Sequence, residues 1–169
     1  MSNEYVAPEN LGEETESAHI KETFLDCLRL IERLHRRLLD VLRTRLEDKG
    51  CTRINAVQAL LLYNIGENEM TAGELRTRGY YLGSNVSYNL KKLVDAGYIS
   101  HQQADHDKRA VRIAITDEGR AIAKIVNELY DEQLAEVLED QIFNLDEFRH
   151  MRRNLRNLER FWSDQLRFF

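Results

Sequence analysis

From His19 onward the chain alternates apolar and charged positions with a helical period. Ile20, Phe24, Cys27, Leu28, Ile31, Leu34, Leu38, Leu42 and Leu46 return every three or four residues with Arg, Glu and Asp between them, which predicts one long amphipathic helix. Lys49 and Gly50 mark its end. Asn55 is placed to cap a second helix running through Val57, Leu60, Leu61 and Ile65 to Gly66. Thr71 and Glu74 have capping-box spacing and predict a short third helix ending near Gly79. After the link Tyr80-Tyr81-Leu82-Gly83, Ser84 predicts the cap of a fourth helix, with Val86, Leu90, Leu93 and Val94 inward and Gly97 at its close.

The period then changes. Residues 98–103 read as a strand, residues 104–109 as a charged hairpin tip, and Val111, Ile113 and Ile115 alternate with Arg112 and Ala114 as the return strand. Thr116 is placed to cap a helix bearing Ile122, Ile125, Val126, Leu129, Leu134, Val137 and Leu138. A last helix starts around Asn144 and carries Phe148, Met151, Leu155, Leu158, Phe161, Trp162 and Leu166. Two short helices joined by a tight link and followed by a charged hairpin have the layout of a winged helix-turn-helix with a two-stranded wing. The predicted class is mainly α (α+β), the winged unit being flanked by long N- and C-terminal helices.

Composition refines this picture at the ends. Residues 1–18 hold five glutamates, no Lys or Arg and the single proline, Pro8, and predict a disordered acidic tail. The expected organisation is therefore a tail over 1–18, an N-terminal dimerisation helix over 19–50, the DNA-binding region over 51–118 and C-terminal dimerisation helices over 119–169, with 19–169 forming one intertwined domain. Two cysteines without CxxC spacing, no leader and no long apolar run predict a soluble, cytoplasmic protein without disulfides or membrane contact.

The net charge of −5 argues against a polyanion binder acting through its whole-molecule field. Its distribution is uneven. Residues 71–112 hold seven basic side chains against four acidic ones, and the rest of the chain holds 17 against 25. On the fourth helix the outward set is Ser84, Asn85, Ser87, Tyr88, Asn89, Lys91 and Lys92, with no carboxylate before Asp95. A face shaped only by solubility mixes signs, whereas hydrogen-bonding and cationic side chains without carboxylates suit base edges and phosphates in a major groove. Lys108 and Arg109 sit in the hairpin, where a long cation can enter the narrow, negative minor groove. There is no glycine-rich phosphate loop, GxSxG or HExxH, so no enzyme, cofactor or metal centre is expected. A metal site drawing on His101, His106 and Cys51 matches no standard ligand spacing.

Several of these residues also carry a family resemblance. The run Ser84-Asn85-Val86-Ser87-Tyr88-Asn89-Leu90-Lys91-Lys92-Leu93-Val94-Asp95-Ala96-Gly97-Tyr98-Ile99, the wing triplet Asp107-Lys108-Arg109 and the turn Ile115-Thr116-Asp117-Glu118-Gly119 together resemble the MarR family of bacterial winged-helix transcription regulators. The resemblance spans roughly residues 20 to 168, with Ile115 where the family usually has leucine and a bulkier, more aromatic link at 80–83. It implies that residues 84–92 contact bases and phosphates of double-stranded DNA and that Arg109 enters the minor groove.

A winged helix alone needs about half of this chain, so the apolar stripes of the first and last helices need a further surface, and a second subunit supplies it economically. In the family the terminal helices interlock as a two-fold dimer that reads a pseudo-palindromic operator, and a small-molecule effector pocket often lies beside them. On this chain the pocket would draw on Cys27, Ile31, His35, Leu60 and Tyr63. The competing readings are a thiol- or metal-responsive regulator of the same fold, with Cys27 better explained as a buried small hydrophobe, and a winged-helix protein-interaction module that does not bind DNA.

Overall fold

A computed structural model describes residues 9–66, 70–71, 83–104 and 107–167. The element order is α1 (Glu9–Asp48), α2 (Ala56–Ile65), β1 (Met70–Thr71), α3 (Gly83–Asp95), β2 (Ile99–Ala104), β3 (Asp107–Ile115), α4 (Asp117–Glu139) and α5 (Leu145–Arg167). The chain falls into two compact units, Met1–Leu61 and Leu62–Phe169.

In the first unit, α1 begins ten residues before the first predicted position, His19, so residues 9–18 are helix rather than disordered tail. The reason is electrostatic as well as conformational: glutamate is a good helix former, and Glu9, Glu13, Glu14 and Glu16 lie where the helix N-terminus carries partial positive charge. At its other end the Cys51 N–H donates to the Leu46 carbonyl at 2.8 Å and the Gly50 N–H to that of Glu47 at 2.9 Å. This paired closure requires Gly50 at φ 72°. Burial along α1 is graded. Leu42 and Leu46 belong to the core with Ile54, Ala56, Ala59 and Leu61, whereas Ile20, Phe24 and Leu34 are exposed. Asn55 caps α2 as predicted, its Oδ1 accepting from the Gln58 N–H at 2.9 Å while Gln58 Oε1 accepts from the Asn55 N–H at 3.1 Å.

The second unit is built on a three-stranded antiparallel sheet in the order β1-β3-β2. Ile99 pairs with Ile115 and His101 with Ile113; Ile99, Ile113 and Ile115 are buried, as the predicted alternation requires. β1 differs from the sequence-based expectation: Met70 and Thr71 pair with Ile113 and Arg112, so Thr71 lies in a strand. The predicted third helix over 72–79 lies outside the described residues. α3 packs on β2 and α4 on β3. Leu62, Ile65, Leu90, Leu93, Ile122, Val126 and Leu129 complete this core. Beyond it Leu134 and Leu138 of α4 and Leu145, Met151, Leu155, Phe161, Trp162 and Leu166 of α5 are exposed. Asn144 caps α5 reciprocally, accepting from the Glu147 N–H at 3.0 Å while the Glu147 carboxylate accepts from the Asn144 N–H at 2.8 Å.

Candidate nucleic-acid interface

The face that α3 offers is set by the side chains it buries. Leu90 and Leu93 are 5% and 1% exposed, and at about 100° per residue that orientation turns Ser87, Tyr88, Lys91 and Lys92 to solvent, where all four are found. Asn89 is half-buried. Tyr88 is 61% exposed, and Lys92 Nζ stands 5.7 Å from the centre of its ring, a cation–π pairing one helical turn apart that restrains both side chains. The first turn of α3 holds no acid, so the partial positive charge of the helix N-terminus is left for an incoming anion. Ser84 and Asn85 fall within that turn on the backbone, with α3 starting one residue ahead of the predicted cap; their side chains lie outside the described residues.

The wing differs from the predicted loop tip. β2 runs to Ala104 and β3 begins at Asp107, so Lys108 and Arg109 are strand residues. Gln103 pairs with Val111 but Ala104 with Asp107, and Lys108, Arg109 and Ala110 fall between the two paired positions of β3. An irregularity of this kind bends a strand and redirects side chains. The side chains of Lys108 and Arg109 lie outside the described residues.

One junction ties α3, the sheet and α4 together. Thr116 Oγ1 donates to the Gly97 carbonyl at 2.8 Å and accepts from the Gly119 N–H at 3.1 Å, while the Thr116 N–H donates to the Tyr98 carbonyl at 3.1 Å. Gly97, at φ 81°, ends α3 with the closure seen at Gly50: its N–H reaches the Val94 carbonyl and that of Tyr98 the Leu93 carbonyl, both at 2.9 Å. At Gly119 a Cβ would stand 2.1 Å from the Tyr98 carbonyl oxygen and 2.7 Å from Ile115 Cγ1. No side chain fits there. The sequence showed Thr116 as a cap, but the close approach at Gly119 has no signal in the sequence beyond the glycine itself.

The five residues assigned to an effector pocket are placed less clearly. Cys27 and His35 are exposed in the single chain, and Ile31, Leu60 and Tyr63 are half-buried, so the reading of Cys27 as a buried hydrophobe is corrected. Cys27 lies on α1 well before the segment where Leu42 and Leu46 enter the core. Tyr63 meets Tyr130 edge to face at 5.2 Å; burial, then the neighbouring Tyr63, raises the Tyr130 phenol above its ordinary value. A cleft in the first unit is lined by Arg43, Leu46, Glu47, Cys51, Thr52, Ile54, Asn55 and Ala56 and includes none of the five. Among the described residues no group of three or more His, Cys, Asp or Glu is arranged to hold a metal, and no helix is long and apolar enough to cross a membrane.

Residues 54–119 match the family model of the winged helix DNA-binding domain. Fold and matched domain define the class: a winged helix-turn-helix transcription regulator of the MarR type. The particular relatives follow. Over 100 residues the chain is 42% identical to the exopolysaccharide II synthesis transcriptional activator ExpG of Rhizobium meliloti (strain 1021), the aligned stretch covering 59% of this chain and 52%, about half, of that relative. Among solved structures, Streptococcus pneumoniae FabT in complex with DNA has a TM-score of 0.67 at 18% identity, covering 84% of this chain and 99% of that one. Wild-type MarR from E. coli in its apo form has a TM-score of 0.56 at 23% identity, covering 77% and 94%. Family match and fold point to a transcription regulator rather than an enzyme.

Proposed function

We propose that the protein acts in the cytoplasm as a homodimer that reads a pseudo-palindromic operator and is modulated by a small-molecule effector. The observation that carries the DNA reading is the exposed face of α3: Ser87, Tyr88, Lys91 and Lys92 turned outward together by the burial of Leu90 and Leu93. Hydroxyls and cations on one helical face, without a carboxylate until Asp95, suit base edges and phosphates. Arg109 on β3 supplies the minor-groove contact, and Ser84, Asn85 and Lys108 add to the phosphate and base contacts. The DNA-bound state of FabT supports the same use of the fold here, and the name of the ExpG relative supports a role in transcription.

Two copies are supported by apolar faces that the single chain leaves exposed: Ile20, Phe24 and Leu34 on α1, and Met151, Leu155, Trp162 and Leu166 on α5. Faces of this kind mark association surfaces. The two-fold axis of such a dimer sets two α3 helices about one DNA turn apart. An effector regulates only by binding the DNA-competent and incompetent spacings unequally, and Cys27, Ile31, His35, Leu60 and Tyr63 are the residues offered for that contact.

Mobility shifts with duplex DNA over a salt series test the proposal. Binding should weaken steeply with added salt as phosphate counterions are displaced. Binding that ignores both salt and sequence would contradict it.

A further inference from the structure

DNA recognition through α3 and the wing leaves one strongly charged surface unused. Arg149, Arg152, Arg153, Arg156 and Arg160 recur at three- and four-residue spacings on α5, and all five are exposed; such spacing aligns them along one side of the helix. Glu159 is the one acid within residues 149–160. Among the described residues one of the five is tied into an ion pair, Arg149 with Asp146 at 2.9 Å. Beside the stripe runs an apolar groove formed by Phe148, Met151 and Leu155, with Arg152 and Arg156 on its edge. In a chain of net charge −5, a solvated face of mixed sign would be the ordinary outcome; a row of like charges repels itself unless an anionic surface lies against it.

A surface of the opposite kind is present in the same sequence. Residues 1–18 contain five glutamates and no Lys or Arg, and because α1 begins at Glu9, four of these stand in its first turns. They are followed by the exposed apolar side chains of Ile20 and Phe24. We propose that the arginine stripe of α5 docks the glutamate-rich N-terminal turns of α1 from a second copy of this chain, with the exposed apolar side chains of the two helices packed beneath the charges. The proposal rests on the homodimer reading and deepens it by naming the electrostatic contact. The groove decides between partners. A phosphate backbone would satisfy the arginines but leave Phe148, Met151 and Leu155 wet, whereas an acidic amphipathic helix covers both.

Sedimentation equilibrium of the full chain without DNA, over dilution and NaCl series, tests this. Arg152→Glu, Arg153→Glu and Arg156→Glu together should weaken dimerisation about tenfold at low salt, since several exposed pairs are removed and reversed at once. Glu13→Arg, Glu14→Arg and Glu16→Arg together should do the same, and mixing the two variants should restore most of the affinity in the heterodimer. The three arginines replaced by Gln give a milder loss without introduced repulsion, with circular dichroism confirming that the helices remain. Dimerisation unmoved by either charge reversal overturns the proposal, as does weakening without rescue on mixing. Reduced DNA affinity with unchanged dimerisation assigns the stripe to DNA and overturns it too, and a change in thermal stability independent of concentration places the contact within one chain and does likewise. A wild-type chain that stays monomeric at micromolar concentration removes the homodimer itself, a result distinct from a dimer indifferent to charge.

Discussion

Gly119 and Gln141 show how single backbone positions set the geometry on which the interface depends. The missing Cβ of Gly119 lets the N-terminus of α4 approach the Tyr98 carbonyl, and Thr116 then bonds both sides of the junction. Gly119→Ala should destabilise the fold by about 1 to 3 kcal/mol through forced backbone displacement; a denaturant midpoint equal to wild type would contradict the packing described. Gln141 makes the converse case. It adopts φ 52° at the end of α4, with its N–H on the Leu138 carbonyl at 3.3 Å and that of Ile142 on Val137 at 3.0 Å, a position where glycine avoids a cost of roughly 1 kcal/mol. Gln141→Gly should raise the melting temperature, and a fall would show that the Gln side chain compensates. At the wing, Arg109→Ala should lower operator affinity by about 1 to 3 kcal/mol while leaving the fold intact. Unchanged affinity in a titration would remove Arg109 from the interface.

At the scale of the element, α3 is a helix whose buried and exposed faces have separate tasks. Leu90 and Leu93 hold it on the sheet, while Lys91 and Lys92 face solvent. Replacing both lysines by Ala should weaken binding almost uniformly across DNA sequences and reduce the steepness of the salt dependence by about one for each phosphate no longer neutralised. A loss confined to one sequence would instead mark them as base readers. This face was legible in the sequence because the helical period and the absence of carboxylates are both local properties. The caps at Asn55, Thr116 and Asn144 were legible for the same reason, since donor and acceptor sit three residues apart. Three features were not. β1 is two residues long and owes its conformation to pairing with Ile113 and Arg112, far along the chain. The shift of register that makes Lys108 and Arg109 strand residues depends on the opposite strand. Helix over 9–18 was obscured because an acidic, proline-preceded stretch has the composition of a disordered tail, while glutamates at a helix N-terminus favour the helix that composition argues against.

At the scale of the whole molecule, the exposed apolar side chains of α1 and α5 and the polar face of α3 divide the surface between association and recognition. Their chemistry explains why the winged region matches a DNA-binding family over 54–119 while the terminal helices carry no comparable motif: a dimer surface needs only apolar area at helical period, which many sequences satisfy. If two copies join through those helices, sedimentation should report twice the chain mass at micromolar concentration, and a monomer there would contradict the two-fold reading. The central claim, that this chain recognises DNA by sequence, is tested most directly by selecting bound duplexes from a random library and sequencing them. The account predicts enrichment of a pseudo-palindrome with half-sites about one helical turn apart, and bound duplexes with no sequence preference over the input library would contradict it.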